Sequence, residues 1–202
     1  MKNFTKIELD ALHEFINIGT GRAATALSEL IDKKVSIKVP EIKIVPISQV
    51  PGLLGGPEIP VVGLYFKIMG DLSGSILLFF DFESSNQLAN FLTAGIADEK
   101  TSGFEEIKES ALMEAGNILT NSYLNALSDM MDNKILLSVP SYASDMLGAV
   151  IDIALIEIAQ NADNALLMKT EIDSPGTKLN GSFVIFPDNE SFEKIFNKIG
   201  IE

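Results

Sequence analysis

Cysteine and tryptophan are absent from the 202 residues, and histidine occurs once. Without cysteine there is no disulfide, no thiolate nucleophile and no cysteine-ligated metal. A Ser-His-Asp triad would have to use His13, and a histidine-rich metal site is excluded. His13 borders a strongly patterned helix face and reads as a surface residue. Basic residues are scarce: 15 Lys and Arg against 28 Asp and Glu give a net charge of -13. That balance argues against nucleic acid as a partner and against docking on an anionic membrane. No apolar run approaches the roughly 18 residues that cross a bilayer, so no membrane insertion is expected. The opening Met-Lys-Asn-Phe-Thr-Lys-Ile-Glu has no apolar signal core, which points to the cytoplasm. No Gly-x4-Gly-Lys-Ser/Thr loop occurs, and Gly19-Thr20-Gly21 has no strand before it to make a dinucleotide turn. Carboxylates, amides and hydroxyls remain to carry any chemistry, with no metal on this chain.

Hydrophobic residues make up 47% and charged residues 21%, a balance that lets a chain of this length bury a core. The chain also repeats itself. Ala11, Leu12, Glu14, Asn17 and Ile18 recur as Ala111, Leu112, Glu114, Asn117 and Ile118. Each copy leads to a short run ending in Val-Pro, at Val39-Pro40 and Val139-Pro140. A second pair, Leu72–Asp81 and Leu179–Asp188, is offset by 107 instead of 100, and a short helix follows each, over 83–95 and 189–199. The pattern predicts one domain over 1–202 made of two homologous halves, about 1–100 and 101–202. The fold class is α+β: a pseudo-two-fold duplication with two long amphipathic helices packed side by side on an antiparallel sheet. The extra seven residues fall between Pro140 and Gly181, where the halves diverge. In the first half, Glu41–Pro46 alternates like a strand. In the second, Ser144 is placed to cap a helix from Asp145, and the β-branched run Val150–Ile158 reads as a strand.

On a helix of about 100° per residue, Asp10, Glu14, Asn17 and Gly21 share one stripe. Leu12, Phe15, Ile16, Gly19, Ala23 and Leu30 share the opposite, apolar one. The second helix repeats this, with Ser110, Glu114, Asn117 and Asn121 outward. Its inward set is Leu112, Ala115, Gly116, Leu119, Tyr123 and Met130. A solvated face would carry Lys, Glu or Gln. Asn is a poorer helix former by a few tenths of a kcal/mol, so its return at the same phase in both halves points to a shared site. Ile18 and Ile118 flank the polar stripes with partly exposed apolar surface.

The doubled spacing (Asp/Ser)-x3-Glu-x2-Asn-x22-Pro resembles the CheC family of chemotaxis phosphatases, whose relatives include CheX and FliY, over nearly the whole chain. The resemblance implies removal of the phosphoryl group from the aspartate of the response regulator CheY, in termination or adaptation of the chemotaxis signal. It assigns catalysis to Glu14, Asn17, Glu114 and Asn117, with Asp10 and Ser110 supporting. The amides suit orientation of an attacking water, and the carboxylates suit pairing with the regulator's lysine. The resemblance implies no cofactor on this chain, because Mg2+ sits in the regulator. It also implies a second partner, the receptor deamidase CheD, on the short helix of the second half, where Asp145 and Met146 stand. A non-catalytic adaptor that sequesters phosphorylated CheY and regulates CheD is the alternative, and a scaffold with solvated helix faces is the third reading.

Overall fold

A computed structural model of the chain describes residues 6–97, 100–156, 162–174 and 177–199. In chain order the elements are α1 (Lys6–Ile31), β1 (Ser36–Pro46), a 3-10 turn (Ile47–Gln49), α2 (Val50–Leu53), β2 (Pro60–Gly70), β3 (Gly74–Asp81) and α3 (Phe82–Thr93). The second half follows with α4 (Phe104–Met131), β4 (Ile135–Leu137), β5 (Ser141–Met146), α5 (Leu147–Leu155), β6 (Asn164–Ser174), β7 (Thr177–Pro187) and α6 (Asn189–Ile199). None of the described helices is long and apolar enough to cross a membrane.

The strands form one sheet in the order β1-β6-β7-β3-β2-β4, with β5 also paired to β2. Every pairing is antiparallel. The order is palindromic, because β6 and β7 take the places that β2 and β3 take on the other side. At its centre Leu77 lies opposite Val184, its own counterpart 107 residues on. Ile76 lies opposite Ile185 and Leu78 opposite Phe183, so the pseudo-two-fold axis passes between β3 and β7. The helix caps obey the same axis. Asp81 accepts a hydrogen bond from the Ser84 N–H at 2.7 Å, and Asp188 accepts one from the Ser191 N–H at 2.7 Å. The two serines then reach across. Ser84 Oγ accepts from the Asn180 N–H, and Ser191 Oγ accepts from the Ser73 N–H. Each cap therefore satisfies orphan helix donors and also ties its half to the other.

Both faces of the sheet are covered. Ile76, Leu78 and Phe80 point to a core shared with α1, α3, α4 and α6. Leu77 and Phe79 alternate to the other face, where they meet Val50, Leu147, Val150 and Ile151 from α2 and α5. That period of two, with both sides apolar, explains why β3 reads as an unbroken hydrophobic run. The two long helices stop in the same way. Asp32 and Asp132 turn left-handed at φ 50 and 53, a conformation that Asp tolerates better than most residues.

Two corrections concern the second half. Residues 141–146 are strand, and Leu147–Leu155 is helix, so the expected helix from Asp145 and the expected strand from Val150 are both displaced. Residues 157 and 158 lie outside the described residues. Ser144 caps no helix; it pairs with Val62 in the ladder. The first half also turns helical after its strand, over 47–53, and Val50 and Val150 occupy matching buried positions. The halves thus differ in how long that helix is, not in its presence. The β-branched content of 150–158 was misleading because α5 is apolar on both sides. Leu30, expected inward, is 44% exposed in the last turn of α1.

Close approach of the layers depends on small residues. A Cβ on Gly19 would meet the Tyr123 ring at 2.6 Å, and one on Gly116 would overlap Leu64 of β2. Gly19→Ala should destabilise the protein by about 1–2 kcal/mol. Overpacking of about 1–3 kcal/mol is partly offset by the better helix propensity of Ala. Urea unfolding followed by circular dichroism would measure this, and a gain in stability would contradict the tight contact. A second prediction concerns the β1–β6 seam. Hydrogen bonds from Lys43 and then Lys169, the latter directly opposite in register, hold the Glu41 carboxyl at about 2 instead of 4.5. Its folded value lies below the unfolded one, so its contribution is present above pH 4.5 and is lost as pH falls toward 2. Glu41→Gln should therefore narrow its stability gap to the parent protein across that window, read from unfolding midpoints at stepped pH.

Candidate functional site

The site begins with the phase of the long helices. Leu12, Phe15, Ile16 and Ala23 of α1 are buried against the sheet and α4. One turn of offset leaves Asp10, Glu14, Asn17 and Gly21 exposed on the opposite side. In α4, Leu112, Ala115, Leu119 and Tyr123 are buried, Ser110 and Glu114 are exposed, and Asn117 and Asn121 are half-buried. Glu and Asn three residues apart stand as neighbours on a helix surface, with Cβ atoms about 5–6 Å apart. The structure thus brings Glu14 to Asn17 and Glu114 to Asn117, and both pairs face away from the sheet on adjacent helices. Ile18 is 40% exposed beside the first pair, and Ile118 is half-buried beside the second. His13 is exposed, as expected.

The two pairs differ in their immediate partners. Asn121 Nδ2 donates to the backbone carbonyl of Asn117 and to Asn117 Oδ1, both at 2.8 Å. In α1 the matching position is Gly21, and Asn17 makes no side-chain hydrogen bond among the described residues. Ser110 Oγ turns back to donate to the Glu106 carbonyl at 2.8 Å, so its proton is not directed outward. Arg22 of α1 and Asp129 of α4 pair at 2.7 Å on the surface, a bridge worth little by itself. Beneath the helices Thr20 Oγ1 and the Tyr123 hydroxyl are 3.1 Å apart. Burial pushes the Tyr123 hydroxyl up, and the bond to Thr20 works against that shift.

The motif residues do not enclose a small molecule. A cleft of about 270 Å³ lies over β6 and β7, and another of about 250 Å³ lies between α3 and α4. Neither is lined by Glu14, Asn17, Glu114 or Asn117. An exposed helix face outside both of these clefts suits a substrate presented by another macromolecule. Among the described residues no group of three or more His, Asp or Glu gathers to hold a metal.

Asp145 and Met146 stand elsewhere. They end β5, opposite Val61 and Pro60 of β2, at the junction with α5. Asp145 Oδ1 accepts a hydrogen bond from the Met146 N–H at 2.7 Å. Because α5 packs on the other face of the sheet, this junction and the Glu/Asn pairs belong to opposite layers. Met146, Ile153 and Ile156 are 49%, 45% and 79% exposed, and with Ala149 they form an apolar stripe along the outer side of α5. Sequence reasoning placed Asn121 on the outward stripe but missed its grip on Asn117; an Asn four residues after another on one helix face was the available signal. It also missed the Asp81/Ser84 and Asp188/Ser191 caps, although Asp-x-x-Ser after a hydrophobic strand announces a helix start.

Comparison with known proteins follows the same two segments. Residues 7–44 and 107–142, each a long helix with its following strand, match the CheC-like family. The chain is 34% identical over 196 residues to the CheY-P phosphatase CheC of Bacillus subtilis, covering 96% of this chain and 94% of that protein. In structure it resembles FliY of Thermotoga maritima, with a TM-score of 0.78 at 22% identity over 98% of both chains. It also resembles, more distantly, a chain of the CheX-CheY-BeF3-Mg2+ complex from Borrelia burgdorferi. There the TM-score is 0.51 at 18% identity, over 87% of this chain and 98% of that one. The duplicated helix-strand units, the outward Glu/Asn pairs at matching phase and the near full-length identity to a CheC protein lead to one assignment: this chain belongs to the CheC-like family.

Proposed function

We propose that this protein is a phosphatase that hydrolyses the aspartyl phosphate of a CheY-type response regulator, using Glu14/Asn17 and Glu114/Asn117 as two surface sites. The observation that carries this reading is the pair of Glu-x-x-Asn motifs held on the outward side of two adjacent helices, outside the two clefts described above. Support comes from the relative named for CheY-P phosphatase activity. The CheX complex contains CheY with BeF3, a mimic of a phosphoryl group, and Mg2+.

Hydrolysis of an acyl phosphate needs positioning and charge stabilisation more than a new nucleophile. The regulator brings its own Mg2+ and lysine to the phosphoryl group. Asn17 or Asn117 enters that site with an amide that accepts from a water through Oδ1 and donates to a phosphoryl oxygen through Nδ2. The water oxygen attacks phosphorus in line, the bond from phosphorus to the aspartate oxygen breaks to regenerate the carboxylate, and inorganic phosphate leaves as dihydrogen phosphate carrying both of the water's protons. An amide has no basic nitrogen, so its contribution is orientation, worth roughly 10–100-fold or about 1.4–2.7 kcal/mol. Glu14 or Glu114 pairs with the regulator's lysine and fixes the docking register, with Asp10 and Ser110 at the edge of the contact.

The double replacement Asn17→Ala/Asn117→Ala should abolish stimulated phosphate release from phosphorylated CheY, each single change removing part of it. Asn17 is exposed and Asn117 half-buried outside the core, so unfolding midpoints should move little. A folded double mutant with full activity would overturn the assignment.

CheD is the second partner in this reading, and α5 is its dock. The apolar stripe of Met146, Ala149, Ile153 and Ile156, bordered by the Asp145 carboxylate, joins a flexible apolar anchor to a register-setting charge. Asp145→Lys should weaken CheD binding at least tenfold in a titration with labelled CheD. Dephosphorylation of CheY should be largely unchanged, because α5 lies across the sheet from both motif helices. Equal affinities for the parent and the mutant would remove this junction from the interface.

A further inference from the structure

We infer that Asn121 is a positioning residue for the second site, and that the first site lacks its counterpart because Gly21 stands there. The inference rests on the assignment of Asn117 to the reaction. Asn121 Nδ2 lies 2.8 Å from a backbone carbonyl, that of Asn117. A carbonyl oxygen only accepts, so this contact fixes which end of the Asn121 amide faces Asn117: it is the donor end. The same nitrogen lies 2.8 Å from the Asn117 side chain, so the atom there must be the acceptor, Oδ1. The orientation of the Asn117 amide is thereby settled by the helix backbone itself. One lone pair of Oδ1 is engaged, one remains for a water, and the Nδ2 donors point away from Asn121. An amide that otherwise has a broad two-fold terminal torsion is held in one of its two settings before any regulator docks.

In α1 the equivalent of Asn121 is Gly21, which is exposed and has no side chain to offer. Asn17 must select its amide setting when the regulator arrives, and that selection lowers the fraction of productive encounters. The gap at Gly21 is open: a Cβ there would meet nothing within 4 Å, and its backbone is helical. A side chain at 21 therefore starts into open space on the same helix stripe as Asn17.

The test isolates each site by silencing the other and follows steady-state phosphate release from CheY phosphorylated with acetyl phosphate. In an Asn17→Ala background, Asn121→Ala should lower kcat about threefold to tenfold and leave KM within about twofold, because orientation and not docking is lost. Asn121→Asp keeps the shape but replaces the donor with an acceptor, so it should fail to restore kcat. In an Asn117→Ala background, Gly21→Asn should raise kcat by a similar factor, again with KM little changed. This gain cannot arise from a damaged fold, and circular dichroism would confirm that each variant is folded. An unchanged kcat in both Asn121→Ala and Gly21→Asn overturns the positioning role while the assignment of Asn117 stands. A shift confined to KM also overturns it, since Asn121 would then belong to the docking surface. Full activity in the Asn17→Ala/Asn117→Ala control removes the assignment itself, and this inference with it.

Discussion

The contact between α1 and α4 at Gly19 and Tyr123 sets the geometry on which the rest of the molecule depends. With no side chain at residue 19, the ring of Tyr123 packs directly against the α1 backbone. Its other side lies 5.1 Å, centroid to centroid, from the ring of Phe183 in β7. One aromatic side chain thus connects both long helices to the centre of the sheet. Its hydroxyl is deep in the protein and would cost about 1–3 kcal/mol if left unsatisfied, and Thr20 supplies the partner. That hydrogen bond also selects the rotation of α1 about its own axis. With Gly19 and Thr20 turned toward α4, the residues two positions before them, Asn17 and Ile18, are turned outward. The outward phase of the polar stripes is therefore a consequence of what is packed beneath them.

Much of this was legible in the sequence because it is periodic. The 3.6-residue period separated Leu12, Phe15 and Ile16 from Glu14 and Asn17 without reference to any other element, and the structure keeps that separation. The repeat at offsets of 100 and 107 announced two matching halves, and the central pairing of Leu77 with Val184 is that arithmetic expressed in a sheet. The junction at 141–155 was not legible. Tyr142, Ala143 and Ser144 become strand because β2 offers them a ladder, a fact stored 80 residues earlier. Val150 and Ile151 become helix because the underside of the sheet rewards apolar residues in any backbone form. Propensity is a local property and lost to tertiary context at both places.

The two halves share a backbone plan but not the same polar detail. Thr20 bonds to Tyr123, whereas its counterpart Thr120 is fully buried and its hydroxyl has no partner among the described residues. Asn121 holds Asn117, whereas Gly21 leaves Asn17 alone. On a pseudo-symmetric frame, such side-chain differences separate the two Glu/Asn pairs without moving a helix. The apolar α5 carries the divergence further, since its first-half counterpart is the four-residue α2.

The sheet exchanges strands between the halves: β1 pairs with β6, and β2 pairs with β5. A ribosome releasing this chain delivers α1 and β1 first, but β1 has no ladder until residues 164–174 emerge more than a hundred residues later. The β2–β3 hairpin can close early, while β1 must wait as an unpaired strand with alternating apolar residues, a state exposed to aggregation during synthesis. Contacts of such long sequence separation also slow folding. The first of the two Glu/Asn pairs to be translated is thus not the first to be built. Its helix gains a partner only when α4 arrives, and its strand only when the last hairpin closes.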